Sequence, residues 1–148
     1  RSVSIFLFAG MISVSSAMDK TGAGKLLAKF CVDLLGGTPS PLFVAALLFL
    51  VSSFLTQFMS NTATATLLCP IGVAIAQQIG ASPHAVVMSI TIGIACAYAT
   101  PVGTPPNTLV LGPGGYRFMD YVKVGTPLIF VSFIVSMIVI PIVWPFFK

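Results

Sequence analysis

Charge is what this sequence has least of. Seven basic and three acidic residues in 148 make it 7% charged, and glutamate is absent. Soluble domains average about 25%. No Asp, Glu, Lys or Arg occurs between Asp33 and Arg117. That gap removes any carboxylate pair from the apolar region. Histidine occurs once, as His84, so no nucleophile there has a base and an orienting acid beside it. The reading is therefore of a protein that is not an enzyme. The three cysteines, Cys31, Cys69 and Cys96, have neither paired nor metal-ligand spacing and read as small packing residues. The net charge of +4 is scattered near segment ends, where snorkelling side chains anchor at an interface, and makes no nucleic-acid surface.

What is present is apolar sequence, 57% of the chain. It reads as an all-α polytopic membrane protein. Residues 2–18 are apolar with interspersed serines and reach spanning length if extended to residue 22. Residues 24–35 set Lys25, Lys29 and Asp33 on one side and Leu26, Leu27, Phe30 and Leu34 on the other, the pattern of a helix lying along a membrane surface. The division expected is a transmembrane helix over 1–24, an interfacial arm over 25–36, and a third region over 37–148. The chain opens on Arg1 and enters an apolar segment directly, which reads as a piece of a longer polytopic protein.

Two compact polar clusters interrupt the uncharged stretch. After an apolar helix over 41–59 comes Ser60-Asn61-Thr62, and a second helix resumes at 63–79. A loop returning to water would carry charge or a longer polar run, so 41–79 reads as a re-entrant hairpin that turns back inside the bilayer. The next helix, over 84–99, meets Thr100-Pro101-Val102-Gly103-Thr104-Pro105-Pro106. Three prolines in six residues exclude regular helix there. Residues 107–111 then form only a short helical piece, so 83–112 reads as a discontinuous helix. Residues 116–123 are expected as an aqueous connection and 124–147 as the last span, with Trp144 at the interface.

Irregular backbone at membrane depth is tolerated only where protein buries it or a wet cavity receives it. Each unpaired backbone group there costs roughly 2–7 kcal/mol. Helix N-termini attract anions, and unwound carbonyls attract cations. Each break offers both, with carbonyls ahead of it and N–H groups after it. With no Lys or Arg nearby, an anion bound there depends on dipoles, hydroxyls and a co-bound cation.

These residues carry a resemblance. Thr56-Gln57-Phe58-Met59-Ser60-Asn61-Thr62-Ala63-Thr64-Ala65, followed by Pro101-Val102-Gly103-Thr104-Pro105-Pro106-Asn107, is similar to the later part of the C-terminal repeat of the divalent-anion/sodium symporter family. The resemblance implies half of an inverted-repeat transporter: a fragment of a secondary active transporter in the cell membrane, multi-pass and usually homodimeric. It would couple sodium to uptake of dicarboxylate, citrate or sulfate by an elevator-type movement. By motif matching, Ser60, Asn61, Thr62, Thr104 and Pro105 would contact the anion. Thr56, Met59, Asn61 and Gly103 would supply oxygens to sodium, largely through carbonyls. Residues 25–36 would link a fixed scaffold helix to the moving part, and Lys25 and Lys29 would lie outside. Gln57 stands where many relatives have Glu, and Gly103 where many have Ala. Only one Ser-Asn-Thr signature is present, so the other half of the site belongs to an N-terminal repeat.

Other readings exist for each feature. Ser60 can be a plain N-cap, and 101–107 a surface loop. Tyr98 reads as packing, His84 as an interfacial helix start, residues 112–115 as a turn, and Gly93 with Ala97 as a close helix contact. Thr21-Gly22-Ala23-Gly24-Lys25 fails as a phosphate loop, because Asp19 and Leu26 stand at its required positions. For the whole chain, the alternatives are an ion antiporter or metalloid efflux permease of similar architecture, or an assembly element that uses its breaks only for packing.

Overall fold

The computed structural model describes Thr21, Asp33 and residues 40–147. The expected helix over 1–24 and arm over 25–36 otherwise lie outside the described residues, as does Cys31. Residues 40–147 are all-α, in five helices: α1 (Pro41–Leu55), α2 (Asn61–Gln78), α3 (Pro83–Ala95), α4 (Pro105–Leu111) and α5 (Phe118–Val143).

Local chemistry sets the helix ends. Ser40 caps α1 by accepting from the Phe43 N–H at 3.3 Å, and Pro41 takes the first position, where a missing N–H costs nothing. The helix expected over 41–59 closes at Leu55 instead. Its ladder shortens there to i−3 bonds, Gln57 N to Phe54 O and Phe58 N to Leu55 O. α2 begins two residues before the expected 63, because the Ser60 hydroxyl caps it by accepting from the Ala63 N–H at 3.2 Å.

α3 ends at Ala95, short of the expected 99. The Gln57 side chain takes the Cys96 carbonyl and the Ala99 N–H, the groups a continuing helix would pair with Thr100 and Ala95. α4 is longer than the expected 107–111. Pro105 and Pro106 occupy its first turn, where N–H groups are unpaired in any helix, so the prolines start this helix rather than delay it. α5 opens at Phe118 rather than 124. The Asp120 carboxylate accepts from the Arg117 N–H at 2.7 Å and turns the expected aqueous connection into two helical turns. Its last residue is Val143, and Trp144 forms the cap.

α3 is central. It runs parallel to α1, with the Ser89 hydroxyl donating to the Ala45 carbonyl at 2.6 Å. One turn on, a Cβ at Gly93 would lie 2.7 Å from the Phe49 carbonyl oxygen, so only glycine permits that backbone approach. Gly93 is thus the expected close contact. Its companion Ala97 lies past the helix, in the loop. α2 folds back onto α3, and Val44, Leu48, Leu68, Ile75, Val86 and Ile90 fill the space between the three helices. α5 packs on α1 and α3 and runs antiparallel to them. Tyr121 meets α4 at one end, and Phe146 O accepts from Ser82 N at the other.

The outer surface is strongly apolar. Val124 and Ile142 on α5 are 70% and 73% exposed, and Phe54, Phe130 and Ile138 are also exposed. Such a face marks contact with lipid or other protein. α5 is the one described helix long and apolar enough to cross a membrane. At 1.5 Å per residue its 26 residues reach about 39 Å, against a hydrocarbon core of roughly 30 Å. The 15 residues of α1 and 13 of α3 reach only about 22 and 20 Å.

Candidate functional site

The parallel pairing of α1 and α3 brings the two chain breaks together. Partners along the helices are 44 residues apart, as in Ser89 with Ala45. The pairing continues beyond both helix ends, with offsets of 43 and 42 residues. The Thr100 hydroxyl donates to the Gln57 carbonyl at 2.8 Å, and the Ala99 N–H donates to Gln57 Oε1 at 3.1 Å. The hairpin turn after α1 therefore rests on the loop after α3.

The expected cation residues divide in two. Thr56 is fully buried, and its hydroxyl donates to Asn61 Oδ1 at 2.6 Å, tying the end of α1 to the start of α2. A Cβ on Gly103 would stand 3.1 Å from the Thr56 carbonyl oxygen, 3.2 Å from Ala97 Cβ and 3.3 Å from the Thr100 hydroxyl. Thr56, Asn61 and Gly103 thus form one cluster. Met59 lies on the same turn, exposed, with its N–H bonded to Leu55 O.

The expected anion residues occupy two helix starts. Ser60 is the exposed N-cap of α2, and Asn61 and Thr62 fill its half-buried first turn. Thr104 is the N-cap residue of α4, but its hydroxyl makes no capping bond; Pro105 follows it, exposed. The plain N-cap reading of Ser60 is correct as local chemistry and still leaves its position at the hairpin tip.

One expectation is corrected. The carbonyls expected on offer ahead of the second break are largely taken. Gln57 Nε2 donates to Cys96 O at 2.9 Å. Asn107 Nδ2 donates to Ala97 O at 2.8 Å and Thr100 O at 3.0 Å. The Thr108 hydroxyl donates to Pro101 O at 2.6 Å. Side chains thus replace the missing backbone donors along most of this loop. Tyr121 on α5 then holds Asn107 by donating to its carbonyl at 2.9 Å. Gln57, Thr100, Asn107, Thr108 and Tyr121 are the structural residues of the site that motif reading left unassigned. The signal for Gln57 and Asn107 was their amide side chains in a charge-free apolar region, where each must find partners.

A cavity of about 380 Å³ lies on the α5 side of the second break, lined by Tyr98, Tyr116, Asp120, Tyr121, Val124 and Leu128 among others. None of the expected site residues lines it. Tyr98, expected as packing, forms part of its wall.

A bundle of short apolar helices, with two uncharged breaks in contact and hydroxyl-bearing helix starts at the junction, has the make-up of a membrane transport protein. The profile described as citrate transporter matches residues 2–147, so the chain belongs to that family. It is 41% identical over 143 residues to the uncharacterized transporter YfbS of Escherichia coli strain K12, covering 97% of this chain and 23% of that protein. It is 40% identical over 124 residues to an uncharacterized transporter of Haemophilus influenzae, covering 82% of this chain and 26% of the other. It is 30% identical over 136 residues to the sodium-dependent dicarboxylate transporter SdcS of Staphylococcus saprophyticus, covering 92% and 26%. The chain spans about a quarter of the length of these relatives. They accord with the divalent-anion/sodium symporter family that the two motifs resemble.

Proposed function

We propose that this chain is the later part of the C-terminal repeat of a secondary active transporter that couples sodium to uptake of a small divalent anion. The observation that carries the reading is the junction of the two breaks, where the Thr56 carbonyl faces Gly103 beside the start of α2. A cation there takes oxygens from Thr56, Met59, Asn61 and the Gly103 backbone. An anion takes hydroxyls and N–H groups from Ser60, Asn61 and Thr62 across from Thr104 and Pro105. Each charge lowers the electrostatic cost of the other, and that reciprocity is what couples their binding.

Helix length supports the membrane placement. α1 and α3 are too short by roughly 8–10 Å to cross a 30 Å core, and no charged residue follows either within the junction. α1 and α2 then form the re-entrant hairpin over 41–79, and α3 with α4 the discontinuous helix over 83–112, each turning near the midplane. α5 spans. The division at residues 24 and 36, with a scaffold helix and an interfacial arm ahead of a moving region, belongs to the same reading, as does the elevator-type movement. So do a homodimer, a multi-pass position in the cell membrane, and an upstream repeat with a second Ser-Asn-Thr hairpin. The sodium and the dicarboxylate come from the relatives' names and the motif resemblance.

The test is uptake by the full-length parent in proteoliposomes. A sodium gradient is expected to drive accumulation of succinate, citrate or sulfate, and Asn61→Ala and Thr104→Ala are expected to weaken it while the protein stays folded. Sodium-independent proton exchange with no uptake of any of the three would favour the antiporter instead. Lowered thermal stability with no loss of substrate affinity would favour a packing element.

A further inference from the structure

Gln57, on the turn between α1 and α2, joins that turn to the second break through both its side chain and its carbonyl. It is buried, and both side-chain N–H donors and the side-chain oxygen are engaged. Its Nε2 donates one hydrogen to Ser53 O at 2.8 Å within α1 and the other to Cys96 O at 2.9 Å at the end of α3. Its Oε1 accepts from the Ala99 N–H at 3.1 Å, and its own carbonyl accepts from the Thr100 hydroxyl at 2.8 Å. No other described residue ties the hairpin tip to the loop through so many bonds. Thr56, whose carbonyl faces Gly103, is its immediate neighbour in sequence.

We infer that Gln57 is the positioning residue of this junction, a neutral amide staple that holds the Thr56 carbonyl against Gly103 and sets the coupled cation site. The inference rests on the transport reading for its consequence, though not for its geometry. Gln57 Nε2 gives one hydrogen to each of the two carbonyl oxygens that point at it, and an apolar side chain of the same size would leave both without that donor.

The experiment uses the full-length parent with Gln57→Met, which is close in volume and lacks the donors. Sodium dependence of uptake in proteoliposomes and alkylation of the native, buried Cys96 by N-ethylmaleimide are each expressed as a ratio to the unsubstituted protein. The Cys96 labelling ratio is expected to rise severalfold, and the sodium concentration for half-maximal uptake to rise by at least about tenfold. Ser89→Ala, which removes a buried bond between the same two helices away from the junction, is expected to leave both ratios near one. Unchanged labelling and unchanged sodium dependence in Gln57→Met would overturn the staple. If Gln57→Met fails to fold, Thr100→Val, which removes the bond to the Gln57 carbonyl, is read the same way. If the parent carries none of the three anions, the transport reading fails, and labelling still decides whether Gln57 holds the junction.

Discussion

The two breaks do opposite things with the same problem. Both leave helix-end groups unpaired in an uncharged, apolar setting. The second, after α3, solves it internally: Gln57, Asn107 and Thr108 donate to the carbonyls of Cys96, Ala97, Thr100 and Pro101. The first, at the tip of α1 and α2, closes only with the Thr56–Asn61 bond and the Ser60 cap, and it keeps Met59 and Ser60 exposed. A break stitched from within is a platform. One left open at its tip can receive something. Where they touch, the Thr56 carbonyl meets the one position with no side chain, Gly103.

The sharpest way to break this division is to fill that position. Gly103→Val would drive a branched side chain into the Thr56 carbonyl, Ala97 and the Thr100 hydroxyl, which stand 3.1–3.3 Å from a single Cβ. Overpacking of this kind costs typically about 1–3 kcal/mol and shifts backbone. Sodium-driven uptake by the parent is expected to fall by at least about a hundredfold, within what such a shift of a coordinating oxygen can remove. Gly103→Ala needs its neighbours to yield only a few tenths of an ångström, so it is expected to retain uptake within roughly threefold. Equal loss in both variants would mean that the Thr56–Gly103 face is not where the cation binds.

A second pair tests platform against receiver. Asn107→Ala strands Ala97 O and Thr100 O, at about 1–3 kcal/mol for each group left unsatisfied. Its expected signature is a lower unfolding temperature for the purified parent, with the anion KM changed little in the fraction that folds. Asn61→Ala strands a single buried group, the Thr56 hydroxyl, at about 1–3 kcal/mol, against two groups for Asn107→Ala. Its expected signature is the reverse, a KM raised by about tenfold or more with the smaller thermal shift, the loss of one charge-assisted contact. Exchange of the two signatures would reverse the roles given to the breaks.

How far these roles were legible in the sequence depended on which force set them. The breaks themselves were plain, because Ser60-Asn61-Thr62 and the prolines at 101, 105 and 106 punctuate apolar sequence that nothing else interrupts. Helix ends were misjudged by two to six residues where a side chain took the terminal bond, from a distant turn at α3 and from the helix's own first turn or cap at α5 and α2. Gln57 ended α3 early, Asp120 began α5 early, and Ser60 began α2 early. The prolines were read as breakers of α4, when their position at its first turn made them starters. The pairing of Gln57 with Ala99 spans 42 residues, and Asn107 reaches back ten. Neither follows from local pattern: the first depends on the parallel register of α1 and α3, and the second on the path of the loop between α3 and α4.

The smallest expected difference separates two serines of similar chemistry. Ser89→Ala removes the buried 2.6 Å bond between α3 and α1 and leaves the Ala45 carbonyl without that donor. Ser60→Ala removes the cap of α2 and one hydroxyl from the tip. Each costs roughly 1 kcal/mol, the first as a buried hydrogen bond and the second as a lost N-cap. Stability therefore cannot tell them apart, and uptake can. The Ser89 partner, Ala45, lies about three helical turns before Thr56 on α1, so the loss of Ser89 is expected to leave the anion KM within about twofold, as an independent distant site should. Ser60 stands at the open break, so its loss is expected to raise KM by about three- to tenfold at an equal thermal shift. Matching KM values in the two variants would reduce Ser60 to a cap, and the first break with it to a turn between packed helices.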